Sequence, residues 1–454
     1  MMLALAVAFV LGGSVPETLV LESGQDVWDL TIADMNGDAK LDLITFWADS
    51  RSYPLEKGLA VYLANADGGY AAQPSVELKL APSIGTAFVA ETDGVPPQEL
   101  VVVDSSAAYV YRLNSDGFAL VAESRFNSLY PTGATEPIFL PKSAEDLDGD
   151  GIDEWLVPVP NGYEIRNVDG LIAAVPASLE SEIRKYGALA IQHRLPTIHC
   201  FDLPGSSQKG VAFLSDRFAD FSYGPNWSKH YRYRIPLHLD EQWEAFTRMG
   251  DINGDGFPDL LITQTQGTIS VKVQTQIYIA DKPFSYPETP TMQFHRKGAF
   301  TTPMLLDVNQ DDKADVVFLS NPISIRNILN YFLRKKISVQ IDAYLFEDGR
   351  FSKKPTHRTQ ITTEAPEGRE RVAYAMGDFT GDGQIDVAAG VGAQKLAVFK
   401  GDPETFLSSK PWKIISVPTF GVARSEDLDG NGAEDIVLFH PGGEHKRRIE
   451  VILF

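Results

Sequence analysis

Six stretches of this 454-residue chain share one nine-residue spacing of oxygen-bearing side chains, at positions 1, 3, 5 and 9. The first offers Asp34, Asn36, Asp38 and Asp42, and the second Asp146, Asp148, Asp150 and Glu154. Asp251, Asn253, Asp255 and Asp259 form the third, and Asp307, Asn309, Asp311 and Asp315 the fourth. Asp378, Thr380, Asp382 and Asp386 form the fifth, and Asp427, Asp429, Asn431 and Asp435 the last. Position 7 adds a backbone carbonyl, from Lys40, Ile152, Phe257, Lys313, Gln384 and Ala433 in turn. Hard oxygens converging from one tight loop are the ligands of a dication of calcium size, which takes six to eight of them in flexible geometry. Zinc is disfavoured, because the loops hold neither His nor Cys. Magnesium is disfavoured because it keeps its waters. Up to six calcium ions are therefore expected.

Glycine at positions 4 and 6 lets the backbone wrap an ion through positive φ angles. The loops at Asp146, Asp251, Asp378 and Asp427 have both glycines, and that at Asp34 has Ala39 at position 6. The loop at Asp307 has Gln310 and Asp312 in their place, so the weakest binding is expected there. An EF-hand begins similarly but closes with Glu at position 12 between helices. Here position 12 is Thr45, Val157, Ile262, Phe318, Ala389 or Leu438, which excludes that motif.

Charge tells the same story. The formal net charge is −21, and these positions carry nineteen carboxylates, four in the loop at Asp146 and three in each of the others. Six dications would offset more than half of that charge. The acidity excludes a nucleic-acid partner, since no basic stripe is present to neutralise phosphates. The one cysteine, Cys200, reads as a small core residue and leaves no disulfide framework. The eight histidines show no metal-ligand spacing, and no phosphate loop, nucleophile elbow or dinucleotide fingerprint occurs.

The elements that position these loops are strands. Each loop is followed at once by an apolar run, and the first unit reads as Val27–Ala33, Leu41–Trp47, Leu59–Ala64 and Ser75–Leu80. Two further units carry decayed loops, Glu91–Glu99 and Asp202–Gly210. Loop starts then fall at 34, 91, 146, 202, 251, 307, 378 and 427. Four strands in about fifty residues, repeated end to end, predict an all-β protein, a β-propeller of eight four-stranded blades, or seven if one decayed unit is an insertion. The last unit lacks a fourth strand, which Glu17–Glu22 can supply to close the ring. A helical insertion is expected near 321–336, with Ile325, Ile328, Leu329, Phe332 and Leu333 on one face, and a second short helix through Ser178–Tyr186.

The loop-then-strand pattern closely resembles the FG-GAP and VCBS-type repeats of integrin-like β-propellers. The resemblance runs from about Val27 to the C-terminus and implies calcium-holding loops between the first and second strands of a blade. The Phe-Gly and Gly-Ala-Pro landmarks that name the integrin version are not evident as a repeated pattern, so its ligand-binding surface does not carry over. The implied function is a calcium-stabilised scaffold for binding or adhesion, with a protein or glycan ligand, and monomeric.

Residues 1–15 are apolar, end in small residues and are too short to span a bilayer, which reads as a signal peptide before one propeller domain at 16–454. Export to the periplasm or the extracellular space follows, with no integral membrane span. The alternative function is a carbohydrate-active enzyme, since eight-bladed propellers occur among polysaccharide lyases. Its candidate region is Asp216–Trp243, rich in aromatic residues and including His230 and His238. Tyr231 and Tyr233 share one strand face there, which suits packing against the next blade more than sugar stacking. Asn226-Trp227-Ser228 also fits a glycosylation acceptor.

Overall fold

Second strands such as Asp42–Asp49 and Asp259–Gln266 are buried along most of their length on both faces. The computed structural model describes residues 16–454 apart from 50, 67, 186–188, 238–242, 268–270, 298, 301–302, 322–330, 332 and 366–370. It is an all-β propeller of eight four-stranded antiparallel blades, so the seven-bladed alternative is set aside. Blade 1 runs Val27–Ala33, Asp42–Asp49, Glu56–Tyr62 and Val76–Leu80. Both units with decayed loops are full blades: blade 2 begins at Thr86–Ala90 and blade 4 at Thr197–Phe201.

Period-two alternation builds the ring. In blade 1 Leu43 packs toward blade 8, beside Val437 and Val451, whereas Ile44 and Phe46 pack toward blade 2, beside Leu100 and Val102. Leu260 and Ile262 face blade 4 while Leu261 between them faces blade 6. Each blade interface among the described residues holds its own buried apolar cluster. A one-residue slip in any second strand would exchange its two neighbours' side chains, so the register is strongly specified.

Glu17–Glu22 closes the ring as expected, pairing antiparallel with Arg448–Leu453 from Glu17↔Leu453 to Glu22↔Arg448. The chain then enters blade 1 through Asp26, whose buried carboxylate accepts from Lys446 Nζ at 2.7 Å and Arg447 Nε at 2.8 Å. Two backbone bonds flank it, Ser23 N–H to Arg447 O and Val27 N–H to Lys446 O.

Two helical expectations fare differently. Most of 321–336 lies outside the described residues; Tyr331, Leu333 and Arg334 are helical, and the strand Lys336–Tyr344 follows directly. The helix expected through Ser178–Tyr186 is not formed: Glu180–Lys185 is a strand paired antiparallel with Leu189–Arg194. Nine residues are too few to hold a helix without tertiary support, and a downstream segment of matching length offers a ladder instead.

Burial opposes ionisation of Asp26, but the hydrogen bonds from Lys446 and Arg447 outweigh it and hold its pKa below the usual carboxylate range. The stabilisation is present above the unfolded value and is lost as pH falls through the lowered folded value. Asp26→Ala should therefore cost about 1–3 kcal/mol at pH 7, read as a lower melting temperature. The gap to wild type should close below about pH 4; a gap unchanged down to pH 2 would contradict this.

Candidate metal centres

All six acidic loops join the first and second strands of a blade, and position 9 is the first residue of the second strand. The hydrogen bonding repeats from loop to loop. The position 1 carboxylate accepts the position 6 N–H, from Ala39 (2.8 Å), Gly151 (3.1 Å), Gly256 (2.8 Å), Asp312 (3.0 Å), Gly383 (2.5 Å) and Gly432 (2.9 Å). The position 5 side chain accepts the position 7 N–H in all six, from Lys40, Ile152, Phe257, Lys313, Gln384 and Ala433. Positions 4 and 6 have positive φ throughout, including the non-glycine residues Ala39 (64°), Gln310 (60°) and Asp312 (61°). The loop at Asp307 thus adopts the common shape with side chains that disfavour it.

Position 9 is a buried carboxylate in every loop: Asp42, Glu154, Asp259, Asp315, Asp386 and Asp435. In blade 1 one oxygen of Asp42 accepts Met35 N–H at 2.9 Å, and the other accepts Ala64 N–H, just past the third strand, at 2.8 Å. Asp259, Asp315 and Asp435 repeat this two-sided bond. The carboxylate thereby ties its loop to the far end of the third strand. Burial is the largest influence on these groups, raising Asp42, Asp315, Asp386 and Asp435 to about 6 and Glu154 and Asp259 to about 7, with a further push from the loop carboxylates.

The donor set fits a hard cation. Carboxylate oxygens of Asp146, Asp148 and Glu154 lie within 4.8 Å of one another, as do those of Asp427, Asp429 and Asp435. The other four loops have Asn or Thr at position 3, so an amide or hydroxyl oxygen replaces that carboxylate. Two buried oxygens at these positions have no hydrogen-bond donor, Asn309 Oδ1 at position 3 and Asp386 Oδ2 at position 9. A buried acceptor without a donor is costly unless something else satisfies it. In the loop at Asp307, Lys313 Nζ also lies 3.3 Å from Asp311 and competes for that carboxylate.

Neighbouring loops are hydrogen-bonded to one another. The position 8 N–H of one loop donates to the carbonyl of position 1 or 2 in the loop of the preceding blade: Asp153 to Glu91, Lys209 to Leu147, Ala314 to Ile252 and Glu434 to Asp378. Among the described residues these bonds join the loops of blades 2, 3 and 4, of blades 5 and 6, and of blades 7 and 8 into stretches of a belt along one rim.

One residue of this belt was not legible in the loop pattern. In blade 2, Glu91, Asp93 and Glu99 bring carboxylate oxygens within 4.8 Å of one another. Arg112, from the third strand, donates through Nη2 to Asp93 at 2.6 Å and through Nε to the buried Glu99 at 2.7 Å. A guanidinium therefore supplies positive charge where the intact loops offer ligands to a cation. The signal available in sequence was an acidic loop without its position 5 acid (Val95), followed by an Arg in the next strand but one.

The aromatic residues of 216–243 divide: several pack into a blade interface, whereas Tyr231 on the outer strand Lys229–Arg234 is 41% exposed. Phe221 is buried, with Phe284 at 4.5 Å between ring centroids, and Tyr233 lies 4.7 Å from Tyr286, all at the interface of blades 4 and 5. Trp227 is buried and donates to Lys209 O, and His230 Nδ1 lies 3.1 Å from Ser222 Oγ. His238 lies outside the described residues.

Arg112→Ala should destabilise blade 2 by about 2 kcal/mol or more, because it leaves the buried Glu99 without its counter-charge. Millimolar calcium should restore part of the lost melting temperature in the variant. An unchanged melting temperature would contradict the role given to the guanidinium.

A family model for the FG-GAP repeat matches residues 248–279, which hold the loop at Asp251 and the second and third strands of blade 5. A search of curated protein sequences finds no match. Among solved structures the chain is similar to an Agrocybe aegerita lectin described for specific recognition of non-reducing terminal N-acetylglucosamine. Identity is 11%, over 96% of this chain and 99% of that one, with a TM-score of 0.42. It is also similar to the V. cholerae biofilm matrix protein Bap1, at 10% identity over 95% of this chain and 88% of that one, TM-score 0.36. Both likenesses are distant. The chain is an eight-bladed β-propeller carrying an FG-GAP repeat in its fifth blade, in keeping with an integrin-alpha-like FG-GAP propeller.

Proposed function

We propose that this chain is an exported, calcium-stabilised scaffold that binds a protein or glycan ligand as a monomer. Its domain would span 16–454, behind a signal peptide at 1–15. An FG-GAP propeller fold supports an interaction scaffold, and no helix among the described residues is long and apolar enough to cross a membrane. The observation that carries the calcium reading is the convergence of carboxylate oxygens in the loops at Asp146 and Asp427, together with two buried acceptors at the same positions of other loops, Asn309 Oδ1 and Asp386 Oδ2, that lack any donor. Calcium would be held by the side chains at positions 1, 3, 5 and 9 and the carbonyl at position 7. Its charge would offset the mutual repulsion of the carboxylates. It would also favour the ionised form of the position 9 group, which burial otherwise pushes toward protonation. The loop at Asp307 would bind most weakly, given its strained backbone and the competing Lys313.

A ligand bound only by the native state stabilises it by mass action, about 2.7 kcal/mol per site at one hundred times its dissociation constant. Dialysis against EDTA should therefore lower the melting temperature by several degrees, and calcium should restore it where equimolar magnesium does not. Identical melting curves in EDTA and in calcium would overturn the calcium reading.

A further inference from the structure

The innermost strands enclose a basic channel in an otherwise acidic protein. One cavity of 680 Å³ is lined at once by Arg248 of blade 5, Met304–Leu306 of blade 6, Tyr374–Met376 of blade 7 and Val422–Ser425 of blade 8. Four first strands can meet at one cavity only around the axis of the ring. An adjoining cavity of 470 Å³ shares Arg248 and Leu305 and continues past Thr197 and His199 of blade 4 to Lys142. Both volumes are of the size that holds small ligands.

The charge of these walls runs against the rest of the molecule. The larger cavity is lined by Arg248, Arg371 and Arg424, with no carboxylate among its described lining residues. Arg424 is engaged by Asp29 at 3.3 Å. Arg248, Arg371 and Lys142 are exposed and have no ion-pair partner among the described residues. The smaller cavity does contain Glu180 and Asp216, the latter held by Arg194 at 2.5 Å. Burial, then Lys142 and Arg248, lower His199 to about 4, so it is neutral at pH 7 and adds no repulsion to the site. Cations gathered in a concave, partly apolar wall focus their field on an entering anion.

The walls also carry open ring faces. Tyr374 is 61% exposed and Phe246 is 40% exposed, each lining one of these cavities. Phe246 stands two residues from Arg248 on the same strand, so both project to one side. Thr247 Oγ1, in the same wall, is buried without a hydrogen-bond partner.

We propose that the central channel binds an acidic oligosaccharide, with Arg248, Arg371 and Lys142 on its carboxylate or sulfate groups and Phe246 and Tyr374 against its sugar faces. Guanidinium forks suit planar oxyanions, and aromatic faces suit the apolar faces of pyranose rings. A short ligand fits better than a long polyanion, because the formal charge of −21 repels acid that extends beyond the channel. This inference rests on the reading of the chain as a binding scaffold and is independent of its calcium sites.

The test is calorimetric titration of the calcium-saturated full chain with an oligogalacturonate trimer, a heparin-derived hexasaccharide, neutral chitohexaose and a polyglutamate peptide. The first two distinguish carboxylate from sulfate as the anionic group. Binding of either, at least tenfold weaker in R248Q/R371Q with an unchanged melting temperature, supports the proposal. Should that variant unfold, K142Q/Y374A serves in its place, with the same tenfold loss expected. No binding of either acidic sugar at millimolar concentration, equal binding of chitohexaose, binding of polyglutamate alone, or unchanged affinity in the folded variant overturns it. A negative result in protein that still melts lower in EDTA removes the channel site and leaves the calcium reading standing.

Discussion

A buried carboxylate stands at the start of the second strand in seven blades, the six with acidic loops and blade 2, and the organisation of each of those rim loops depends on it. In four of these blades its two oxygens reach in two directions, one to the N–H at position 2 of its own loop and one to the N–H beyond the third strand. Such a group fixes the loop to the blade. It also sets a cost, because burial and the neighbouring acids oppose its ionisation. The molecule meets that cost in two ways. In blade 2 a guanidinium bonds the equivalent Glu99 and its neighbour Asp93. In the six acidic loops, on the reading proposed above, calcium would take that part. Hydrogen bonds between loops then couple blades 2, 3 and 4, blades 5 and 6, and blades 7 and 8 along the rim.

The ring itself follows from alternation. Because each second strand buries both faces, every blade depends on two neighbours, and the first and last blades would each lack one in an open chain. Pairing of Glu17–Glu22 with Arg448–Leu453 places the N-terminal strand in the last blade, and Asp26 with Lys446 and Arg447 fastens the step into the first. Chain ends, charge pair and apolar cluster therefore close one seam together, beside Leu21, Val27 and Ile449.

Much of this was legible in the sequence. The spacing of acidic loops located all eight blades, including those of Glu91 and Asp202, because a blade keeps its strand–loop–strand frame after the loop has changed. The missing fourth strand of the last unit pointed to Glu17–Glu22. What could not be read was set by contacts distant in sequence. Arg112 sits thirteen positions beyond Glu99, and only the pairing of second and third strands brings its head into the loop. Glu180–Lys185 has weak helical spacing, and its strand partner decided the outcome. Of the two tyrosines that share a strand face, Tyr233 packs against Tyr286 at the blade interface while Tyr231 stays 41% exposed. The basic channel was invisible because Lys142, Arg248 and Arg371 come from separate blades.

The rim and the channel thus divide the chemistry of the ring. Repeated acids on the rim serve the fold, while the residues that differ from blade to blade face the axis. The central claim is that the rim loops hold calcium, and anomalous diffraction from crystals grown in calcium tests it most directly. The account predicts peaks about 2.3–2.6 Å from the odd-position oxygens in the loops beginning at Asp34, Asp146, Asp251, Asp378 and Asp427, a weaker one at Asp307, and none at Glu91, where Arg112 stands. Loops without peaks at saturating calcium, or a peak displacing Arg112 in blade 2, would contradict it.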